Sequence, residues 1–113
     1  MNRDRKRELA AAYRERKARP GVYAVRCTAS GEAWVGGSRD LADGRKNGLW
    51  FSLRLGSHPN RALLAAWKAH GEAAFVYEEL ELLDSEALSG WLLDQALKDA
   101  IAAWRGRLGA GAL

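Results

Sequence analysis

The chain has 113 residues, of which 48% are hydrophobic and 28% charged, and it carries a formal net charge of +4. That size suits one domain with its own core, and so ordinary a mixture excludes a low-complexity or collagen-like chain. A single cysteine, Cys27, excludes an internal disulfide, and no apolar run approaches the roughly 20 residues of a membrane helix, so a soluble, cytoplasmic protein is expected.

The charge is concentrated at one end. Residues 1–19 hold eight basic side chains (Arg3, Arg5, Lys6, Arg7, Arg14, Arg16, Lys17, Arg19) against three acidic ones, a net of +5, which leaves −1 for the remainder. Leu9, Ala12 and Tyr13 supply a thin apolar stripe at helical spacing, so residues 1–19 are predicted to form a basic N-terminal helix that Pro20 ends. Arg5, Lys6, Arg16 and Lys17 are its candidate nucleic-acid contacts, because such a helix is drawn to phosphate backbones in a salt-dependent way. The alternative is a solvated face with internal Glu–Arg pairing.

Residues 20–107 form the predicted domain. GVYAVRCT alternates and is rich in β-formers, ASGE supplies a turn, and AWVGG returns as a second strand. Cys27 is expected to be a small buried side chain in the first of these. Two helices are predicted next, near Leu49–Leu55 and near Arg61–Ala69, separated by GSHPN. Leu63, Leu64 and Trp67 would face the core together, and Gly71 suits a left-handed cap. AAFVYEELELL reads as a third strand. A last helix, capped by Asp84 or Ser85, is predicted through about Arg107, with an apolar face of Leu88, Leu92, Leu93, Ala96, Leu97, Ala100, Ile101 and Trp104. Residues 108–113 are expected to fray. Of the five tryptophans, Trp67 and Trp104 sit at core-like positions, and Trp50 or Trp91 could be exposed for base stacking.

Gly21-Val22-Tyr23 and Trp34-Val35-Gly36, with their aromatics eleven positions apart, resemble the paired tripeptides of the GIY-YIG nucleases. GSHPNRALLAAWKAHGEAAF is similar to that family's pattern of His-x-Asn, a helix with Leu and an aromatic, a Gly, then a Phe opening the third strand. The resemblance covers about residues 20–105. It implies an α+β fold, with a small three-stranded antiparallel sheet flanked by helices. It also implies an endonuclease hydrolysing phosphodiester bonds with one divalent metal, Mg²⁺ or Mn²⁺, on nucleic acid, with DNA ahead of RNA. The alternative of the same fold is a catalytically degenerate nucleic-acid-binding module.

The resemblance also implies roles. Tyr23 stands at the first family tyrosine, a base if nearby positive charge or metal lowers its pKa from about 10. Trp34 stands at the second, where an indole can position a water or phosphate oxygen but cannot accept a proton. Arg45 matches the family arginine, one residue late, and would grip a phosphate with its planar fork. Arg39 and Lys46 are neighbours that could help, and His58 could bond a phosphate oxygen, while Asn60 could instead cap the following helix. The family's metal-binding Glu lies three residues before an aromatic on the last helix, and Ile101 holds that place here. Asp99, the nearest acid, is therefore the metal candidate, although two residues turn a helix by about 200°. Asp94 is the next acid back.

Overall fold

The computed structural model describes residues 19–41, 45–84, 87–88 and 90–113. The predicted basic helix, with Arg5, Lys6, Arg16 and Lys17, lies outside the described residues apart from its last position, Arg19.

Strands β1 (Gly21–Cys27), β2 (Ala33–Ser38), β3 (Phe75–Leu82) and β4 (Gly111–Ala112) form one sheet in the order β3-β1-β2-β4. The expected antiparallel three-stranded sheet is present, since β1 pairs antiparallel with both β2 and β3. A fourth strand, β4, runs parallel to β2 and makes the sheet mixed. Helices α1 (Arg45–Leu55) and α2 (Arg61–His70) precede β3, and α3 (Gly90–Leu108) follows it.

The alternation of β1 explains the layering. Tyr23, Val25 and Cys27 point to one face and join Trp34, Leu49, Trp50, Leu53, Leu63, Ala66, Trp67 and Phe75 from β2, α1, α2 and β3. Val22 and Ala24 point to the other, with Val35, and are covered by Ala100, Ile101 and Trp104 of α3. A central strand covered on both faces is apolar almost throughout, which is why Cys27 is buried as expected. The outer strand β3 carries Glu78, Glu79 and Glu81, all exposed, a charged edge that discourages further pairing.

Local chemistry sets the helix ends. The Asn60 side chain accepts from the Leu63 N–H at 3.1 Å and opens α2. Gly71 closes it with its N–H on the Trp67 carbonyl. Its φ of +81° is positive as expected, but ψ is 162°, an extended conformation open essentially to glycine alone rather than the left-handed helical one. Helix α1 begins four residues earlier than its apolar run, at Arg45.

Asp84 does not cap α3. Its side chain and carbonyl accept from the Ala87 and Leu88 N–H groups, closing a separate turn, and α3 opens at Gly90 with a φ of +55°. The tail expected to fray is also ordered. After Gly109, φ +61°, the Ala110 N–H returns to the Arg105 carbonyl at 2.9 Å, a six-to-one helix stop. β4 then lies on β2, with Trp34 opposite Gly111 and Val35 opposite Ala112. No described helix is long and apolar enough to cross a membrane.

Candidate active site

The two tripeptides meet in the sheet. Tyr23 and Gly36 are register partners, and so are Val25 and Trp34, so Tyr23 and Trp34 are diagonal neighbours on one face. Gly36 is needed because the tyrosine ring lies against it: a Cβ there would sit 3.0 Å from the Tyr23 hydroxyl. Tyr23 also stacks on Tyr77 of β3, ring centroids 5.2 Å apart. The same would-be Cβ lies 3.0 Å from a Leu113 methyl, so the residue after β4 packs beside the hydroxyl. Tyr23 is only 6% exposed and Trp34 4%. Trp34 has its indole against Gly111, whose would-be Cβ is 3.2 Å from Cδ1. Both motif aromatics therefore belong to the core of the α1/α2 face.

Arg45 opens α1, and its side chain lies outside the described residues. Lys46 is exposed, with its ammonium 5.7 Å from the Trp50 ring centroid. Trp50 itself is buried, edge-on to Trp67 at 5.5 Å, which removes it as a stacking surface. The His58 Nδ1 accepts the Asn60 N–H at 3.0 Å. Partial burial lowers its pKa from the ordinary 6.5, which favours the neutral ring that this bond requires. Asn60 in turn donates to the Ala112 carbonyl at 2.8 Å. The His-x-Asn loop thus secures α2 and β4.

On the opposite face, Ile101 fills the place the resemblance reserves for a carboxylate. A Cβ on Gly37 would be 2.8 Å from Ile101 Cδ1, so the second glycine of WVGG makes room for the isoleucine. Asp99 points away and accepts from Gln95 at 3.1 Å on the exposed side of α3. The carboxylate that α3 does bring to the end of β2 is Asp94, and the sequence pattern had given it no more weight than Asp99. Arg39, directly after β2, holds it through Nε and Nη2 at 2.6–2.9 Å. The clue was periodic: Asp94 precedes Ile101 by seven residues, two turns along one helix face.

A divalent ion does not fit this donor set. Among the described residues no group of three His, Cys, Asp or Glu side chains could hold one. Asp99 is hydrogen-bonded on a solvent face, and Asp94 is already closed by a guanidinium.

The sheet order, the helices on both faces and the Tyr23–Gly36 juxtaposition define a domain with a GIY-YIG-like fold. Among solved structures, the catalytic domain of the intron endonuclease I-TevI, in a mutant form, is similar to 84% of this chain over 92% of its own, with a TM-score of 0.67 and 20% identity. That likeness bears out the fold the two tripeptides implied. No protein-family model matches the sequence, and no curated protein does.

Proposed function

We propose that this chain is a GIY-YIG-type domain that binds nucleic acid, DNA ahead of RNA, and has given up metal-dependent hydrolysis. The observation that carries this reading is the state of the last helix: Ile101 packs on Gly37, and the carboxylate beside the motif, Asp94, is neutralised by Arg39. Hydrolysis of a phosphodiester needs a base, an activated water and a cation against the developing charge. Here the carboxylate that α3 brings to the end of β2 is engaged by Arg39, and the tyrosine that would act as base is buried beside Leu113. Binding needs less. The segment 1–19 contributes +5 and enters the domain at Arg19, whose N–H reaches Asp40 and whose carbonyl accepts from Leu41. That is the end of the sheet carrying Arg39.

A second reading, an active endonuclease using Tyr23, Trp34, Arg45 and His58 with Mg²⁺ or Mn²⁺, draws support from the Tyr23–Gly36 packing, which keeps the two tripeptides paired. The two separate on incubation of the whole chain with labelled single-stranded and duplex DNA, with Mg²⁺, Mn²⁺ or chelator. Retardation at low salt that weakens as salt rises, without cutting, is the expected result. Metal-dependent cutting that Tyr23→Phe and Arg45→Ala abolish would establish the second reading and overturn the first.

A further inference from the structure

Helix α3 carries one large aromatic ring that the fold does not use. Of the five tryptophans, Trp34, Trp50 and Trp67 are buried in the α1/α2 core, and Trp104 packs over Val22, Ala24 and Val35 while donating its indole N–H to Glu81 at 2.8 Å. Trp91, in the first turn of α3, is 73% exposed. Holding so large an apolar surface in water contributes nothing to the core, so the ring marks a contact surface.

Its surroundings indicate the kind of contact. Residues seven apart on a helix return to nearly the same face after about 10 Å of rise. Trp91, Lys98 and Arg105 are spaced in this way, and all three are exposed. Neither Lys98 nor Arg105 is ion-paired among the described residues. Asp94, one turn after Trp91, would repel an anion, but Arg39 covers it. Asp99 is engaged with Gln95 beside Lys98. With Arg39, Lys98 and Arg105 set against Asp94 and Asp99, the face is net positive, and the +5 segment joins the sheet at the end where this row begins.

We propose that Trp91 is a stacking platform for one unpaired base, and that the row Trp91–Lys98–Arg105 leads the phosphates of a single strand along α3. This rests on the nucleic-acid reading above and specifies its substrate class. An exposed indole offers its π-face to any base but can take only one that has left the helical stack, so the surface selects strand state rather than sequence. Lysine and arginine on the same face then track the backbone without reading bases. In a duplex the bases are stacked on each other and the ring has no partner, so duplex binding depends on the remaining basic groups alone.

The test uses the full chain, an oligodeoxythymidylate single strand and a blunt mixed-sequence duplex, titrated at low salt with tryptophan fluorescence and retardation as readouts. Trp91→Ala is expected to weaken single-strand binding by roughly tenfold, the loss of one stacked base, and to leave duplex binding unchanged. Trp91→Phe is expected to keep most of the affinity, yet to lose the quenching that the oligomer causes in the unaltered chain. Lys98→Ala with Arg105→Ala is expected to reduce the salt slope of single-strand binding by about 1.4, roughly 0.7 for each phosphate contact removed. Equal single-strand affinity in Trp91→Ala, or an equal loss on both probes, would overturn the stacking assignment while the nucleic-acid reading stands. If the unaltered chain binds neither probe, both readings fall. Sedimentation showing a dimer that Trp91→Ala disperses would assign the ring, with exposed Leu92 and Leu82, to a second copy of the chain and overturn the proposal.

Discussion

Two adjacent glycines in β2 do opposite jobs because a strand alternates its faces. Gly36 makes room for the Tyr23 ring and Gly37 for Ile101. A side chain at Gly37 must displace the isoleucine, so Gly37→Val is expected to lower stability by about 1–3 kcal/mol, the usual range for overpacking a filled layer. Chemical denaturation reads this directly, and an unchanged midpoint would mean that α3 slides to accommodate the methyls. His58 offers a pH test at the same scale. Its pKa is lowered by burial from 6.5, so the unfolded chain binds the proton more tightly than the folded one. The stabilising contribution is therefore complete above pH 6.5 and is lost as the pH falls through the lower, folded value. Protonation at Nδ1 also breaks the bond from the Asn60 N–H. An NMR titration should find His58 titrating below 6.5, with the Asn60 amide shift following it; a value at or above 6.5 would contradict the packing of this loop.

Between elements, the Arg39–Asp94 pair staples the end of β2 to the start of α3. Both side chains are about half exposed, so despite the two-pronged geometry the coupling should be about 0.5–1 kcal/mol in a double-mutant cycle of Arg39→Ala with Asp94→Ala, and should shrink in high salt. Because the carboxylate is closed, millimolar Mg²⁺ is expected to leave the unfolding midpoint of the unaltered chain where it was; a metal-dependent rise would mean that a cation displaces the guanidinium. This staple shows what the sequence could and could not convey. GVYAVRC, AWVGG and the Leu63-Leu64-Trp67 spacing announced two strands and a helix because each has a local period, and Asn60 announced its own cap. Arg39 and Asp94 are 55 positions apart, and nothing local marks either as the other's partner. Counting back from Trp104 reached Ile101, which packs on Gly37. It then favoured Asp99 by closeness in sequence, although the helix face that meets β2 carries Asp94. Which of Trp50 and Trp91 is exposed was likewise beyond periodicity, since a side-chain pattern does not say which helix face a neighbour will cover.

At the scale of the whole molecule, the last residues close the domain over its own motif. GAGAL has neither β-branched nor aromatic side chains, so propensity argues against a strand. Tertiary contacts decide otherwise: the free edge of β2 takes Gly111 and Ala112, the Leu113 N–H reaches the Val35 carbonyl at 3.1 Å, and Asn60 holds the Ala112 carbonyl. Leu113 itself packs against the core that contains Tyr23 and Trp34. Removing residues 111–113 deletes one half-buried leucine and three hydrogen-bonding arrangements, which together correspond to about 2–4 kcal/mol. The shortened chain is therefore expected to unfold at a clearly lower denaturant concentration while still folding, because β1, β2, β3 and the three helices keep their own contacts. Its buried aromatics should become accessible in a specific order. Trp34 loses the cover of Gly111 and Tyr23 that of Leu113, so acrylamide should quench a second tryptophan besides Trp91, and a tyrosine-selective surface reagent should modify Tyr23 faster than in the whole chain. If both aromatics stay as protected as before, the tail is an ornament on the edge of β2. If they open together and the shortened chain then cuts DNA with added metal, the closed tail is what keeps Tyr23 from a phosphate, and the proposal of a binding module without hydrolysis falls.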